Sequence, residues 1–598
     1  LWFVLKCMSS KTKGNSEIGK ENGMLKNITM NGIHMQEDSS LTILDVARKH
    51  GIDIPTLCFL KKDDCNFVHR PASCRVCIVE VKGRRNLSPA CATYIEEGME
   101  ILTNSYKVRQ ERKNIVELLL SNHPNACLTC RKSGDCELQA LSAKLGVSNN
   151  LEFAGPLSQE NKEYRFGAIL RNPSKCILCN RCTAFCEEIQ GIGAISATQR
   201  GFATVISEGH KCVNCGQCIQ VCPTGALMQY EDAPDIEKKL TDPETFCIVQ
   251  TAPAVRVSIG EGFGMEPGTD VTGKMITALR YMGFDRVFDT NFSADLTIME
   301  EAHELVDRLQ VGGKLPMITS CCPGWIKYLE THHPDMLDLP SSCKSPQEMF
   351  SSIARSWYAE KYGIDPKKMV VVSLMPCTAK KKEITREQNQ VDGVQQTDYS
   401  MTVKEFIAMV KRYGLDIRNL PEGTFDSPLG ESTGAADIFA QTGGVMEAAI
   451  RTAGVWLDGD APWNINWESG YEDGIKEATV KVGGKELSIC IASGLKNASK
   501  VIERIRSGEK QYHFIEIMAC PGGCLNGGGQ PVAKYGKYAE TMLARRKGVQ
   551  SIDRNKSARI SCDSSAVQKL YEEFLVEPGS EIAHKLLHTS YSDESDII

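Results

Sequence analysis

Cysteine spacing limits what this chain can fold into more than any other feature. Of 598 residues, 26 are cysteine, and most fall in tight groups. The plainest is Cys176-x2-Cys179-x2-Cys182-x3-Cys186, repeated as Cys212-x2-Cys215-x2-Cys218-x3-Cys222-Pro223. Spacings this short gather several sulfur atoms around one point, as thiolate ligation of a metal requires. Disulfide frameworks suit small secreted domains, whereas this chain is long enough for several buried cores. The balance is unremarkable for a globular protein, 42% apolar, 24% charged and net −6. That charge gives no reason to expect nucleic acid, and no apolar run approaches the roughly 18 residues of a membrane span. The opening Leu1-Trp2-Phe3-Val4-Leu5 is too short for a signal-peptide core, and Glu17 and Glu21 make poor transit-peptide material. Residues 1–24 read as a tail, with Met8 and Met24 as candidate starts.

Three cysteine modules precede the larger part of the chain. Residues 25–104 read as strand, Asn31-Gly32 type I′ turn, strand and helix, the helix opening at Thr42 with Asp45 and closing at Gly51. Cys58, Cys74, Cys77 and Cys91 follow in a spacing that resembles the plant-type 2Fe–2S ferredoxins, of β-grasp fold. The gap after Cys58 is long and contains Cys65 as a rival ligand, but Ile54-Pro55-Thr56-Leu57-Cys58 matches that family better. Residues 105–160 form a helical stretch ending in His123-x3-Cys127-x2-Cys130-x5-Cys136. Three thiolates and an imidazole suit zinc or a 4Fe–4S cluster, and a place between two iron–sulfur modules favours iron. Residues 161–235 hold the repeated motif, which resembles the bacterial two-cluster ferredoxins. There the fourth cysteine of each motif serves the other cluster. One cluster is then expected on Cys176, Cys179, Cys182 and Cys222, its neighbour on Cys212, Cys215, Cys218 and Cys186.

From 236 to 590 the texture becomes α/β, with 591–598 as a second tail. The runs at Phe246-Cys247-Ile248-Val249, Met369-Val370-Val371-Val372 and Phe514-Ile515-Glu516-Ile517 read as buried parallel-type strands. Cys322, Cys377 and Cys520 lie shortly beyond strand-like runs, where ligands collect in open parallel sheets. The whole is therefore a multidomain α/β and α+β protein. Three signatures carry a further resemblance: Thr319-Ser320-Cys321-Cys322-Pro323-Gly324-Trp325, Met375-Pro376-Cys377-Thr378-Ala379-Lys380 and Met518-Ala519-Cys520-Pro521-Gly522-Gly523-Cys524. Together with the upstream modules they resemble the multi-cluster clostridial type of iron–iron (FeFe) hydrogenase over residues 25–590.

That resemblance implies an H-cluster on Cys322, Cys377, Cys520 and Cys524. In the family this is a 4Fe–4S cube, bridged here through Cys524 to a two-iron subsite with carbon monoxide, cyanide and dithiolate ligands. It implies a hydrogen bond from Lys380 to a cyanide and a pocket lined by Met375, Met518, Ala252, Pro253 and Gln347. Ala254 stands where some relatives carry serine. Gly522, Gly523, Gly527, Gly528 and Gly529 are expected to let backbone approach the cofactor. The same resemblance lays a proton path through Cys321, Glu301, Ser341 and Glu304. Helical spacing puts Glu301 beside an apolar stripe of Ile298, Ala302, Leu305 and Leu309, with Glu304 one turn nearer water.

The expected reaction is 2H⁺ + 2e⁻ ⇌ H₂, with one 2Fe–2S and three 4Fe–4S accessory clusters relaying electrons from or to a ferredoxin. Maturation proteins for the two-iron subsite are implied, and a monomer in the cytoplasm is expected, or in the hydrogenosome of a eukaryotic host. Two rivals share parts of the pattern. Electron-transfer subunits of respiratory dehydrogenases lack the three signatures, and non-catalytic relatives tend to lose the residue at Cys321. Residues 25–135 carry sixteen Lys and Arg against thirteen Asp and Glu, a weak attraction for an acidic partner.

Overall fold

The computed structural model describes residues 24–147, 153–463, 465–469 and 473–596. Most of the expected N-terminal tail lies outside them. Two compact units result: one from residues up to 59 with 70–127 and 133–156, the other from 60–69, 128–132 and 157 onward.

In the first unit, strands Leu25–Met30 and Ile33–Asp38 pair from Leu25↔Asp38 to Met30↔Ile33. Asn31 and Gly32 take φ of 52° and 84° between them, the two left-handed residues of a type I′ turn. Glu100–Leu102 then pairs in parallel with Leu25–Met30 and in antiparallel with Ile78–Val81. Helix Ile43–Lys49 opens with a reciprocal capping box between Thr42 and Asp45, and Gly51 turns the chain at φ 69°. Ile28, Met30, Leu44, Val46, Val79 and Ile101 fill the core between helix and sheet, with Cys77 and Cys91 at its edge.

The second unit begins with a hairpin, Leu60–Lys62 against Phe67–His69. The hairpin lies inside the expected module 25–104 in sequence but groups with the second unit. Leu60 and Phe67 share a core with Ile169, Phe185 and Ile219, and the Phe67 and Phe185 rings meet edge to face at 5.0 Å. The long gap between Cys58 and Cys74 is thus an insertion that belongs with the repeated-motif region. That region contains helices Arg181–Glu188 and Gln217–Val221 and a three-stranded antiparallel sheet of Tyr164–Phe166, Ile169–Arg171 and Leu227–Gln229.

Beyond residue 245 two sheets form. The first is wholly parallel, in the order Arg286–Asp289, Phe246–Thr251, Met369–Met375, Tyr399–Thr402. The second is parallel at its centre and mixed at one edge. Met317–Ile318, Phe514–Met518 and Lys485–Ser493 run parallel, and Ile475–Val482 returns as an antiparallel hairpin with Lys485–Ser493. Met369–Met375 and Phe514–Met518 are buried at every position, the mark of strands covered on both faces. Among the described residues, no helix is long and apolar enough to cross a membrane.

Candidate active site

Both sheets deliver their carboxyl ends to one cavity. Met369–Met375 leads into Cys377, Met317–Ile318 into Cys321 and Cys322, and Phe514–Met518 into Cys520 and Cys524. All five cysteines line the cavity together with Ala252, Pro253, Gln347, Met375, Lys380 and Met518, around roughly 740 Å³ of atom-free space. Every residue expected at the H-cluster is therefore gathered here.

The donor set fits a metal cluster. Cys322, Cys377 and Cys524 act on one another electrostatically, and the Cys520 thiol feels the other three. Burial pushes all four thiols above their ordinary range. Four clustered thiolates in so dry a place are unstable alone, and a cationic iron centre removes that difficulty. The space beside them is lined mainly by apolar groups, with Thr290, Gln347 and the Lys380 amine as its polar members.

Lys380 is the one cation of that lining. Its Nζ donates to the Cys321 carbonyl at 3.2 Å and to Glu383 Oε2 at 2.8 Å. Burial opposes its charge, but the Glu383 carboxylate holds its pKa above the ordinary value. Gln347 Nε2 donates to the same Glu383 oxygen at 2.9 Å, and Ser373 donates to Gln347 Oε1 at 2.8 Å. Glu383 thus fixes both polar side chains, Lys380 as its i,i+3 neighbour on helix Lys380–Glu383 and Gln347 through the fold.

Glu301 and Glu304 lie on helix Thr290–Asp307, whose buried residues wrap most of its circumference rather than one stripe. Leu309 falls in the wider turn Arg308–Gly312 that follows. Glu301 is fully buried, and neither carboxylate oxygen meets a hydrogen-bond partner. Burial, then repulsion from Glu304 and Glu516, pushes it up to about 8. Glu301 is also the strongest charge acting on the Cys321 thiol. Glu304 accepts from Ser341 Oγ at 2.8 Å and from Arg308 at 2.5 Å, and is partly open to solvent.

Gly523 and Gly527 line the cavity, and the glycine loop also packs closely against protein backbone. A Cβ on Gly527 would lie 2.2 Å from the Pro376 carbonyl, and on Gly528 2.5 Å from the Cys215 carbonyl. The crowding atoms are backbone, so these glycines seat protein against protein. Gln220 Nε2 reaches the carbonyls of Gly527, Gly528 and Gln530 at 2.8–3.1 Å, and Thr378 donates to Asn214 at 2.7 Å. The loop carrying Cys215 is therefore fastened to the loops carrying Cys377 and Cys524.

Within the repeated motif the thiols associate crosswise. Cys222 acts on Cys176, Cys179 and Cys182, and Cys186 acts on Cys212, Cys215 and Cys218. In the first unit the Cys58 amide donates to Cys74 Sγ at 3.4 Å, and Cys91 feels Cys77, Cys58 and Cys74. Cys65 lies instead in the inserted hairpin, packed with the second unit's core. His123 follows helix Tyr106–Ser121, Cys127 opens the turn Cys127–Thr129, Cys130 follows it, and Cys136 precedes helix Glu137–Lys144.

Fold and donor set define an iron–sulfur redox enzyme with a string of electron-transfer modules ahead of a buried metal centre. The chain matches the family described as iron only hydrogenase large subunit, C-terminal domain over residues 245–528. It also matches the 2Fe-2S iron-sulfur cluster binding domain over 26–106 and the NADH-ubiquinone oxidoreductase-G iron-sulfur binding region over 112–150. The 4Fe-4S dicluster domain follows over 175–226 and the iron hydrogenase small subunit over 539–594. It is 47% identical to the NADP-reducing hydrogenase subunit HndD of Solidesulfovibrio fructosivorans, across 94% of this chain and 98% of that one. It is 39% identical to iron hydrogenase 1 of Clostridium pasteurianum, across 95% and 100%. The apo [FeFe]-hydrogenase HydA1 of Chlamydomonas reinhardtii, variant C377H, superposes with a TM-score of 0.56 at 38% identity, covering 61% of this chain and 99% of that one. The chain belongs to the iron-only (FeFe) hydrogenases. Its reaction is hydrogen oxidation and production, with electrons relayed through iron–sulfur modules.

Proposed function

We propose that Cys322, Cys377, Cys520 and Cys524 hold the H-cluster, with Cys524 as the bridge, and that Cys321, Glu301, Ser341 and Glu304 move protons to and from it. The convergence of both sheets' carboxyl ends on one thiol-lined cavity carries this reading. When bound, the cluster supplies the metal site at which protons and electrons combine. Lys380, held by Glu383, orients an anionic ligand beside Cys321, while Met375, Met518, Ala252 and Pro253 keep water out and Gln347 adds a polar contact.

Glu304 takes protons at the solvent side, and the Ser341 hydroxyl holds its carboxylate in place. Glu301, with its pKa near 8, keeps a proton on its carboxyl at neutral pH and can release it inward. Cys321 Sγ, which no cluster needs as a ligand, is the last protein atom of the path. The test is hydrogen evolution from reduced viologen. Cys321→Ala should lose at least about a hundredfold in turnover while the cluster signals persist; turnover near that of the unaltered chain would refute the path.

The accessory clusters are assigned as 2Fe–2S on Cys58, Cys74, Cys77 and Cys91, and 4Fe–4S on His123, Cys127, Cys130 and Cys136. Two more cubes take the crosswise sets of the repeated motif. The iron total is then about 20 per chain, which anaerobic metal analysis reads directly. A monomer exchanging electrons with a ferredoxin, its two-iron subsite installed by maturation proteins, is the first reading of partners. A second is favoured by the 47% identical relative being a subunit of an NADP-reducing hydrogenase. Hydrogen evolution with reduced ferredoxin alone supports the first; a requirement for NADPH and further subunits supports the second.

A further inference from the structure

The stretch 587–591 is laced to the outer end of the proton path. Lys344 N–H donates to the Leu587 carbonyl at 2.7 Å and Thr589 N–H to the Ser342 carbonyl at 2.8 Å, so that Cys343 and His588 form an antiparallel bridge. The Tyr591 hydroxyl donates to the Ser341 carbonyl at 2.5 Å. This strap sets His588 beside Ser342, a residue outside the path described above. Ser342 Oγ donates to Glu304 Oε2 at 3.3 Å, so its lone pairs face His588 Nδ1 at 2.8 Å. The other ring nitrogen, Nε2, lies 3.1 Å from Glu300 Oε2. Glu300 is held as an acceptor by the Tyr571 hydroxyl at 2.5 Å and the Gly579 amide at 2.9 Å. Both ring nitrogens thus have an oxygen within hydrogen-bond reach, the geometry a proton-passing imidazole needs.

We propose that His588 is a proton-relay residue that supplies and accepts the proton of Glu304 through Ser342. The inference rests on the reading of Glu304 as the path's outer carboxylate. In the inward direction the Nδ1 proton passes to Ser342 Oγ as the Ser342 hydroxyl proton passes to Glu304 Oε2. The imidazolium becomes neutral imidazole and the carboxylate becomes a carboxylic acid, so charge is conserved. Water then returns a proton to Nδ1, and hydrogen oxidation runs the steps in reverse. The groups facing the ring are Glu300, Ser342, Glu304 with its partner Arg308, Cys343 across the bridge, Tyr571 behind Glu300, and the exposed His584 with its ring 4.2 Å away. His584 is exposed while His588 is mostly covered. None of these groups is a ligand of any cluster.

His588→Gln keeps the ring's approximate bulk and removes its titration. Viologen-driven hydrogen evolution in this variant should fall by about tenfold with cluster spectra unchanged, and added imidazole should restore rate to His588→Ala. A readout independent of turnover is nitrogen NMR of histidine-labelled chain lacking the two-iron subsite. The resonance missing from His588→Gln identifies the ring, and its titration midpoint should fall when Glu304→Gln removes the neighbouring carboxylate charge. Unchanged turnover in His588→Gln, loss that imidazole cannot restore, or a midpoint indifferent to Glu304→Gln overturns the proposal. Glu304→Gln also separates the two readings. If it stops turnover while His588→Gln does not, the path stands and the histidine relay falls; if it leaves turnover intact, the path itself is wrong.

Discussion

Glu516 is a buried carboxylate in the middle of a strand, and among the described residues no cation pairs with it. Its oxygens accept from the Gly443 and Met446 amides at 2.6 and 2.9 Å, at the start of helix Gly444–Asp458, where free N–H groups favour an anion. Burial still prevails and raises its pKa to about 7. A carboxyl raised in the fold binds more protons folded than unfolded, so its contribution is whole below the unfolded value near 4.5 and is lost as pH climbs through 7. Glu516→Gln removes that loss. Its melting temperature should change less between pH 5.5 and 8.5 than that of the unaltered chain; equal pH dependence would show that the amides outweigh burial. In the sequence this glutamate sits within Phe-Ile-Glu-Ile, where the strand was legible and the reason for its one acid was not. A helix end supplied from residue 443 is invisible to a reading that proceeds along the chain. Cys321 and Lys380 were legible because their offsets from Cys322 and Cys377 are short. Ser342 was not, because its partners His588 and Glu304 are fixed by folding alone; Glu383 was missed although its i,i+3 spacing from Lys380 offered a signal.

Among the elements, the periodic ones were easiest to anticipate. The hairpin at Asn31-Gly32, the capping box at Thr42 and the buried strands follow from local chemistry, and the structure contains each of them. Pairing partners were less legible, since an alternating run such as Ile475–Val482 fits either sheet and pairs antiparallel because a tight turn at Gly483-Gly484 leads straight into Lys485–Ser493. The glycine loop was legible as a place of close approach but its backbone partners were not, and its crowded atoms lead to a prediction. A methyl on Gly528 would press on the Cys215 carbonyl at 2.5 Å and on Gly216 Cα at 2.7 Å, and neither backbone has room to yield. Gly528→Ala should cost about 1–3 kcal/mol of stability through overpacking. It should also slow electron passage from the repeated-motif clusters to the cavity. Rapid-freeze electron paramagnetic resonance would show the accessory clusters reduced at normal speed but reoxidised late. Normal reoxidation together with normal stability would mean that the two loops tolerate separation.

At the scale of the whole molecule, sequence order and spatial grouping diverge at two places. Residues 60–69 leave the first module to pack on Phe185, which the long gap after Cys58 hinted at and could not locate. The second divergence lies inside the repeated motif, where each helix carries thiols of both crosswise groups proposed to hold clusters: Cys182 and Cys186 on Arg181–Glu188, then Cys218 on Gln217–Val221 with Cys222 at its end. One cluster's loss therefore leaves the other with its full set. Cys222→Ser should weaken the cube on Cys176, Cys179 and Cys182, and Cys186→Ser the cube beside Cys215. Only the second lies next to the thiols of the cavity, since Cys215 and Cys377 act on each other and Cys520 feels Cys215. The two substitutions should accordingly differ in effect although both are Cys→Ser in equivalent motif positions. Cys186→Ser should cut viologen-driven turnover more deeply, because it interrupts the last transfer before the active centre, whereas Cys222→Ser spares that step for a small donor able to reach the inner cube. Cluster-resolved resonance spectra would confirm which cube is altered in each variant. Equal turnover losses, or a spectrum in which Cys222→Ser alters the cube on Cys212, Cys215 and Cys218, would mean that the fourth ligands are not exchanged between the two motifs.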